Sequence, residues 1–388
     1  MRASDRRTAA GERLPRRPGG YGRIVLAAAV AVIVTVAGLG IYEALRPGPG
    51  EPTLTIYTYG SLFGGACGSG GSASGIFGNF SAQYHVAIRV ECPSGTLVST
   101  LEAQRSDPVA DLVIGLDEIT APEAQALGLV IPYSPPGLAD VNASLEEELT
   151  SDHSVTPYEY GYLGIDYTPS FARATGGAIA TGSLPEFATN ASWGSQLVYE
   201  DPASDITGEE FLAWTATLYG FVLHQDWTGF WQAILPHAQE APSWGVAFNQ
   251  MFGNPYGAVV SYTTDPASAA YYGTPGAFQT TVSYVGGVPY GWRTIYGVGI
   301  VRGSTHLTLD EAFVNYLLSG SVQAQIPYSE WEYPANQTVA WPPLFQESGL
   351  IDPSSIVPLN QFVSPAELAQ NFTGPDGWLA TWEGLAGA

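Results

Sequence analysis

The stretch LTIYTYGS, Leu54 to Ser61, sets the pattern that decides the fold. A short apolar run of strand-forming residues ends in aromatic and small polar residues. Four more apolar runs of similar length occur at His85–Glu91, Asp111–Asp117, Gln196–Asp201 and Ala258–Thr264. Short apolar runs bounded by turn residues are typical of buried strands, so these five segments predict strands.

Helical patterns separate the predicted strands. Ile76, Phe80 and Tyr84 form one apolar stripe. Further helical patterns occupy Leu97–Arg105, Pro122–Leu129, Glu209–Phe221, Trp227–Ala238, Leu309–Ile326 and Pro365–Phe372. The alternation predicts an α/β fold whose sheets are mixed, mainly parallel and flanked by helices. Because such folds bind ligands beyond the carboxyl ends of their strands, functional residues should directly follow the strands.

The first 45 residues predict a membrane anchor. Residues 1–23 form a basic tail with seven arginines, and residues 24–45 form an apolar run whose only charge is Glu43. This length and charge order favour a transmembrane helix with a cytoplasmic N-terminus, with the rest of the chain outside the cytoplasm. A cleaved signal sequence is the alternative. Residues 46–53, rich in proline, predict a stiff linker.

The exported part of the chain is strongly acidic. From Glu51 onward it has five arginines, no lysine and 33 acidic residues. Such a surface repels nucleic acid and anionic lipid headgroups, and it favours cationic ligands. Solubility in the external medium explains the same composition equally well.

Motifs for catalysis, phosphate binding and metal binding are absent from the sequence. It has no GxSxG, GxxxxGK[ST], HExxH or CxxC pattern, and its five histidines are scattered. We therefore predict no enzyme activity, no metal site and no cofactor. The two cysteines, Cys67 and Cys92, predict a disulfide because oxidised pairs persist outside the cytoplasm.

The segments after the predicted strands combine aromatic residues with carboxylates or hydroxyls. They are YTYGS (57–61), GLDE (115–118), PYEYGY (157–162), YEDPASDITG (199–208), SWG (243–245), SYTTDP (261–266) and SEWEYP (329–334). Aromatic faces and a carboxylate suit a flat organic cation. Core packing is the alternative for each ring taken singly.

In order and spacing, these segments resemble the thiamine-binding periplasmic proteins of ABC transporters. The resemblance runs from about Leu54 to Pro342, through LTIYTYGS, ADLVIGLD, VTPYEYGYLGIDY, LVYEDP, SWGVAFNQMF, AVVSYTT and QIPYSEWEYPANQTV. It implies a type II solute-binding protein of residues 54–388 that closes over its ligand and docks on a permease and its ATPase. Lobe 1 would comprise about residues 54–157 with part of the C-terminal third, and lobe 2 about residues 158–264 with returning segments.

The resemblance also implies a thiamine site built from aromatic rings. Trp244 and Tyr262 would flank the ligand, and Asp117 would contact the aminopyrimidine. The other candidate ligand-binding residues are Tyr59, Gly60, Ser61, Gly115, Tyr160, Ser204, Asp205 and Trp331. This chain departs from the family at Gly60, where the family has Asp, and at Asp205, where a Ser would match. An aromatic residue of the family has no counterpart near Ala66.

Three other functions fit parts of the sequence. A protein binding another small cation, a metal ion or an anion could use the glycine-rich stretch Gly64–Gly75 ahead of a helix. A membrane-anchored surface hydrolase could act through paired carboxylates. A surface adhesion module is disfavoured by the alternation of strands and helices.

Overall fold

The computed structural model describes residues 51–67, 75–150, 152–252, 256–347 and 349–387. The predicted basic tail, the apolar segment 24–45, the first part of the linker and residues 68–74 of the glycine-rich stretch lie outside the described residues. Among the residues that are described, no helix is both long and apolar enough to cross a membrane. The described residues belong to one compact unit.

The strands of the described part of the chain are, in order, β1 (Thr53–Tyr57), β2 (Ala87–Glu91), β3 (Leu112–Leu116), β4 (Val130–Ile131), β5 (Val155–Tyr160), β6 (Leu163–Tyr167), β7 (Leu197–Glu200), β8 (Gln239–Ala241), β9 (Ala258–Tyr262), β10 (Gln279–Thr281), β11 (Ser283–Val285), β12 (Val288–Gly291), β13 (Ile295–Val301), β14 (Tyr333–Pro334) and β15 (Val357–Pro358).

The α-helices between them are α1 (Leu62–Gly65), α2 (Gly75–Tyr84), α3 (Leu97–Ala103), α4 (Thr120–Ala126), α5 (Ala143–Leu149), α6 (Pro169–Ala174), α7 (Leu184–Thr189), α8 (Ala191–Gly194), α9 (Ile206–Thr217), α10 (Thr228–Ile234), α11 (Trp244–Met251), α12 (Asp265–Tyr271), α13 (Leu307–Leu317), α14 (Gly320–Gln323), α15 (Ile326–Ser329), α16 (Pro343–Glu347), α17 (Pro365–Thr373) and α18 (Trp378–Ala386).

Two sheets define two lobes. The sheet of lobe 1 has the strand order β14-β5-β13-β3-β1-β2, with β4 paired to β13. The sheet of lobe 2 has the order β10-β6-β9-β7-β8. A smaller sheet, β11-β12-β15, completes the strand pairing of the described residues. The predicted α/β fold with mixed sheets and flanking helices is confirmed.

The expectation of mainly parallel pairing was wrong. In lobe 1, β1 runs parallel to β2 and β3, whereas β13 is antiparallel to β3, β4 and β5, and β14 is antiparallel to β5. In lobe 2, β7 is parallel to β8 and β9, and β6 is antiparallel to β9 and β10. The antiparallel strands include those through which the chain passes between the lobes.

The chain crosses between the lobes three times: its first two crossings lie side by side, and after β14 it passes back to lobe 2, where α17 and α18 pack. It leaves lobe 1 after β5 and enters lobe 2 at β6, and it returns from lobe 2 at Trp292 to begin β13. The backbone N–H of Gly161 donates to the carbonyl of Thr294 at 2.9 Å, and the N–H of Leu163 donates to the carbonyl of Trp292 at 2.9 Å. Side chains near these crossings therefore lie where the lobes meet.

Each lobe has its own apolar core. Lobe 1 buries Ile56, Leu112 and Phe313 around its central strands. Lobe 2 buries Trp214 and Trp231, and the C-terminal helices α17 and α18 add further apolar side chains to the same core. Burial of side chains of this size is the main stabilisation of each lobe.

Cys67 and Cys92 form the predicted disulfide, with their Cα atoms 6.0 Å apart. Cys67 follows α1, and Cys92 directly follows β2. The bond thus joins the segment after β1 to the end of the neighbouring strand.

Candidate functional site

Tyr59 is a lobe 1 residue whose hydroxyl has three polar contacts. Its hydroxyl lies 3.1 Å from the hydroxyl of Tyr158, and it is 3.2 Å from carboxylate oxygens of both Glu159 and Glu330. Burial, and then these tyrosine and glutamate neighbours, raise the pKa of Tyr59 well above its usual value. The ring centroid lies 5.6 Å from that of Tyr296 on β13.

Gly115 leaves space for the ring of Tyr59. The glycine lies in β3 with φ of +99°, and a Cβ atom built on it would be 2.4 Å from Cδ1 of Tyr59. A side chain at this position would collide with the ring, and the backbone angle itself favours glycine. The residue is therefore required for the close approach of ring and strand.

Tyr262 ends β9 and reaches across to lobe 1. Its hydroxyl lies 3.0 Å from the hydroxyl of Tyr296 and 3.1 Å from Oγ1 of Thr207, at the start of α9. Burial is the main cause that raises the pKa of Tyr262 well above its usual value, followed by the charge of Glu210. The neutral phenol of Tyr262 therefore makes these hydrogen bonds.

Trp244 is fixed at the N-terminus of α11 by two hydrogen bonds. Its backbone N–H donates to Oδ2 of Asp205 at 3.2 Å, and its indole Nε1–H donates to Oγ of Ser261 at 2.9 Å. The other carboxylate oxygen of Asp205 caps α9 by accepting from the N–H of Thr207. The Trp244 ring stands 6.5 Å from Tyr262, so both rings belong to one cluster.

Asp117 follows β3 and is fully buried. One oxygen accepts hydrogen bonds from the N–H groups of Ile119 and Thr120 and from the Thr120 hydroxyl. The second oxygen, Oδ2, has no hydrogen-bond partner among the described residues. Burial raises the pKa of Asp117 despite the hydrogen bonds that lower it.

More carboxylates surround this cluster than the sequence analysis foresaw. We call Asp117, Glu118, Glu209, Glu210 and Glu332 the cleft carboxylates. The first two belong to lobe 1, and Glu209 and Glu210 belong to α9 of lobe 2. Burial is the first cause of the raised pKa in each case, and repulsion from another acidic group adds to it in Glu118, Glu209, Glu210 and Glu332.

In the described part of the chain, the arginine ion pairs are formed away from the cleft carboxylates. Arg293 pairs with Glu148, and Arg89 pairs with Glu91. Arg105 and Arg302 donate to backbone carbonyl groups. The cluster therefore combines aromatic rings with carboxyl groups that form no ion pair with an arginine of the described residues.

The structure brings six of the predicted site residues together: Tyr59, Gly115, Asp117, Asp205, Trp244 and Tyr262. The other five are exposed or contact other residues. Gly60 and Ser61 are exposed, and the exposed Ser204 donates to Asp201. Tyr160 packs on Tyr333, 5.4 Å between ring centroids, and Trp331 contacts Tyr271 at 5.2 Å.

Sequence reasoning missed Tyr296, Thr207 and Glu210. Tyr296 lies within a strand that was not predicted. Thr207 and Glu210 lie three positions apart on α9, whose predicted start at Glu209 was three residues too late. The signal that was available is Asp205, since aspartate is a favoured N-cap residue and it directly precedes Ile206, where the helix begins.

Curated relatives are thiamine-binding periplasmic proteins. That of Brucella suis biovar 1 is 25% identical over 294 residues, which cover 74% of this chain and 80% of the relative. That of Escherichia coli K12 is 25% identical over 348 residues, which cover 86% of this chain and 93% of the relative. No protein-family model matches the chain.

Solved structures agree on the fold. A periplasmic thiamin binding protein superposes with a TM-score of 0.70 at 20% identity, covering 88% of this chain and 98% of that one. AfuA from Actinobacillus pleuropneumoniae, with fructose-6-phosphate bound, gives 0.69 at 18% identity and 87% and 99% coverage. Iron-bound HitA from Pseudomonas aeruginosa gives 0.66 at 15% identity and 86% and 98% coverage. The resemblance stated from the sequence segments is confirmed, and the fold is that of the type II periplasmic binding proteins.

Proposed function

We propose that this chain, a relative of the thiamine-binding periplasmic proteins, captures thiamine or a thiamine phosphate between its two lobes for an ABC importer. The observation that carries the proposal is the ring cluster at the seam. Tyr59 and Tyr296 come from lobe 1, and Tyr262 and Trp244 come from lobe 2. A flat cation held between such rings contacts both lobes at once.

The charge around the rings supports a cation. A cationic ring gains ~0.5–2 kcal/mol from each aromatic face, depending on desolvation. Asp117 offers a free carboxylate oxygen within the same cluster. The five arginines of the exported part include Arg89 and Arg293, each paired with a glutamate, so a bare anion would meet unfavourable charge.

An organic cation is favoured over a metal ion. The described residues contain no group of three or more His, Cys, Asp or Glu side chains arranged to hold a metal. A metal ion prefers several oxygen ligands at short distance, whereas a flat organic cation packs its faces on aromatic rings and forms hydrogen bonds at its edge.

Capture would follow from closure of the lobes. A ligand that touches Tyr59 and Tyr262 together interacts fully only with the closed form, and it therefore shifts the population towards that form. The closed protein would then dock on a permease and its ATPase. We propose an extracytoplasmic location, with the apolar segment 24–45 as the membrane anchor and no catalytic step.

Thermal unfolding of the full-length protein in detergent tests the proposal. Thiamine, its mono- and diphosphate, ferric ion and inorganic phosphate are added separately. A ligand that binds only the native state stabilises it by ~4 kcal/mol at a thousandfold excess over Kd. A rise in melting temperature with thiamine or its phosphates is the expected result. A rise with ferric ion or phosphate alone, or with none of them, would refute thiamine as the ligand.

A further inference from the structure

Glu210 is a buried carboxylate without a hydrogen bond. It lies on α9, one turn after Thr207, so both side chains lie on the same face of the helix. Thr207 faces the Tyr262 hydroxyl at 3.1 Å. The side chain of Glu210 is 0% exposed, and neither of its oxygens has a hydrogen-bond partner among the described residues.

The surroundings of Glu210 show which way it faces. Burial is the largest cause of its raised pKa, and the next causes are the charges of Glu118 and Asp117 in lobe 1, then those of Glu332 and Glu209. Its charge also acts on the phenols of Tyr262 and Tyr296. Glu210 is therefore a fully buried lobe 2 carboxylate that faces the acidic groups of lobe 1.

The two neighbouring carboxylates of lobe 1 that act most strongly on Glu210 have structural partners that Glu210 lacks. Glu118 accepts from the indole N–H of Trp292 and from the backbone N–H of Ile295 at 3.0 Å. Asp117 accepts three hydrogen bonds through one of its oxygens. Because an unpaired carboxylate in this position only destabilises the folded chain, packing does not explain Glu210.

We propose that Glu210 is the counter-ion of a second cationic group on the ligand, so that the cleft selects molecules with two separate positive centres. The inference rests on the proposed function and refines it. The permanently charged ring of the ligand would lie on the aromatic rings. A basic nitrogen of its other ring, in thiamine the aminopyrimidine, would bind as its protonated form between Glu210 and the free oxygen of Asp117.

The test compares thiamine with oxythiamine, in which an oxo group replaces the amino group on the pyrimidine, so that the ring loses its basic nitrogen. Calorimetric titration of the full-length protein gives both affinities, and their ratio reports the second cationic group. We expect the native protein to prefer thiamine by about tenfold or more, as for a charge-assisted hydrogen bond. In Glu210→Gln, which keeps the shape and removes the charge, the ratio should fall close to one.

Two further variants make the result specific. Glu210→Asp keeps the charge and should retain most of the preference for thiamine. Asp310→Asn changes a buried carboxylate of lobe 1 that bonds to Ser304, and the ratio should stay at the native value. Thermal unfolding without ligand should show Glu210→Gln to be at least as stable as the native protein, since it loses an unpaired buried charge.

The outcomes separate this inference from the proposed function. Thiamine binding with the same ratio in the native protein and Glu210→Gln overturns the inference and leaves the proposed function standing. If thiamine does not bind but putrescine or spermidine does, and Glu210→Gln abolishes that binding, the dication site stands and thiamine is refuted. Failure of thiamine and both amines to bind overturns both.

Discussion

The hydroxyl oxygens of Tyr262 and Tyr296 lie 3.0 Å apart, and they belong to different lobes. Tyr262 ends β9 of lobe 2, and Tyr296 lies in β13, the strand by which the chain returns to lobe 1. This hydrogen bond is a direct link across the seam where the ligand is proposed to bind. It stabilises the arrangement in which the two lobes are in contact.

Tyr262→Phe should weaken ligand binding by about three- to tenfold, the value of one hydrogen bond. The ring remains, but the Tyr296 hydroxyl loses its partner, and the closed form becomes less populated. Titration calorimetry with thiamine measures the loss. Tyr316→Phe is the matched control, because its hydroxyl donates to the carbonyl of Ile76 within lobe 1. Equal affinities in Tyr262→Phe and the native protein would remove the link from the binding mechanism.

Gly115→Ala should lower the affinity by about tenfold or more, because the new Cβ would displace the ring of Tyr59. Gly177→Ala provides the control. Its φ of +85° carries a similar backbone penalty of ~1 kcal/mol, but no atom lies within 4 Å of the added Cβ. Both variants should unfold at slightly lower temperature. Only Gly115→Ala should bind more weakly, and equal binding by the two would show that Tyr59 is not part of the site.

Trp244→Ala should reduce the affinity by at least about tenfold, since it removes a flanking ring together with its cation–π contact. Trp244→Phe keeps a ring and loses the indole bond to Ser261, so an intermediate affinity is expected. Phe252→Ala removes a ring from the residue after α11 that is 52% exposed, and it should bind normally. Unchanged calorimetric affinity in Trp244→Ala would contradict the assignment.

Sequence alone predicted the elements that local patterns define, and it missed residues whose environment depends on contacts between distant parts of the chain. The strands β1, β2, β3, β7 and β9 were predicted because each is a local apolar run. Tyr59 and Asp117 follow two of these strands, and Tyr262 is the last residue of a third. The strand β13 was missed although it pairs with three others, because Gly297 and Gly299 interrupt its run of strand-forming residues. Tyr296 was missed with it.

The cleft carboxylates show a second limit of sequence reasoning. A helix predicted to begin at Glu209 puts Glu209 and Glu210 in its first turn, where acidic residues are ordinarily favourable and solvated. The helix instead begins at Ile206, and Glu210 becomes a buried residue facing lobe 1. Burial at an interface between lobes depends on how the lobes pack, and a local sequence pattern contains no information about that packing.

Loss of the disulfide should destabilise the protein by about 3 kcal/mol, from the entropy of closing a loop of this size in the unfolded chain. Cys67 and Cys92 are 25 residues apart in sequence. Urea unfolding of the variant Cys67→Ser/Cys92→Ser measures the change against the oxidised native protein. A reducing agent should lower the stability of the native protein to that of the variant and leave the variant unaffected. Native stability that does not respond to reduction would contradict the prediction.

Stability should fall as the pH rises from about 4.5 to about 8. Glu159 is 1% exposed, and burial raises its pKa from 4.5 to about 8. Between pH 4.5 and about 8 the folded chain holds a proton that the unfolded chain releases. The stabilisation is therefore fully present below pH 4.5, and it is lost as the pH rises to about 8. Asp265, raised from 3.8 to about 6, acts in the same direction.

The pH effect can be measured as the melting temperature of the full-length protein at pH 5 and at pH 8, where the higher value is expected at pH 5. Glu159 should account for about 2–4 kcal/mol of the loss of folding stability between these pH values, from ~1.4 kcal/mol for each unit of pKa. Glu159→Gln should reduce the difference between the two pH values, because it removes the titrating group. Glu383→Gln, at an exposed position, should leave the difference unchanged. A melting temperature that rises from pH 5 to pH 8 would show that the buried carboxyl groups gain charge-stabilising partners on folding.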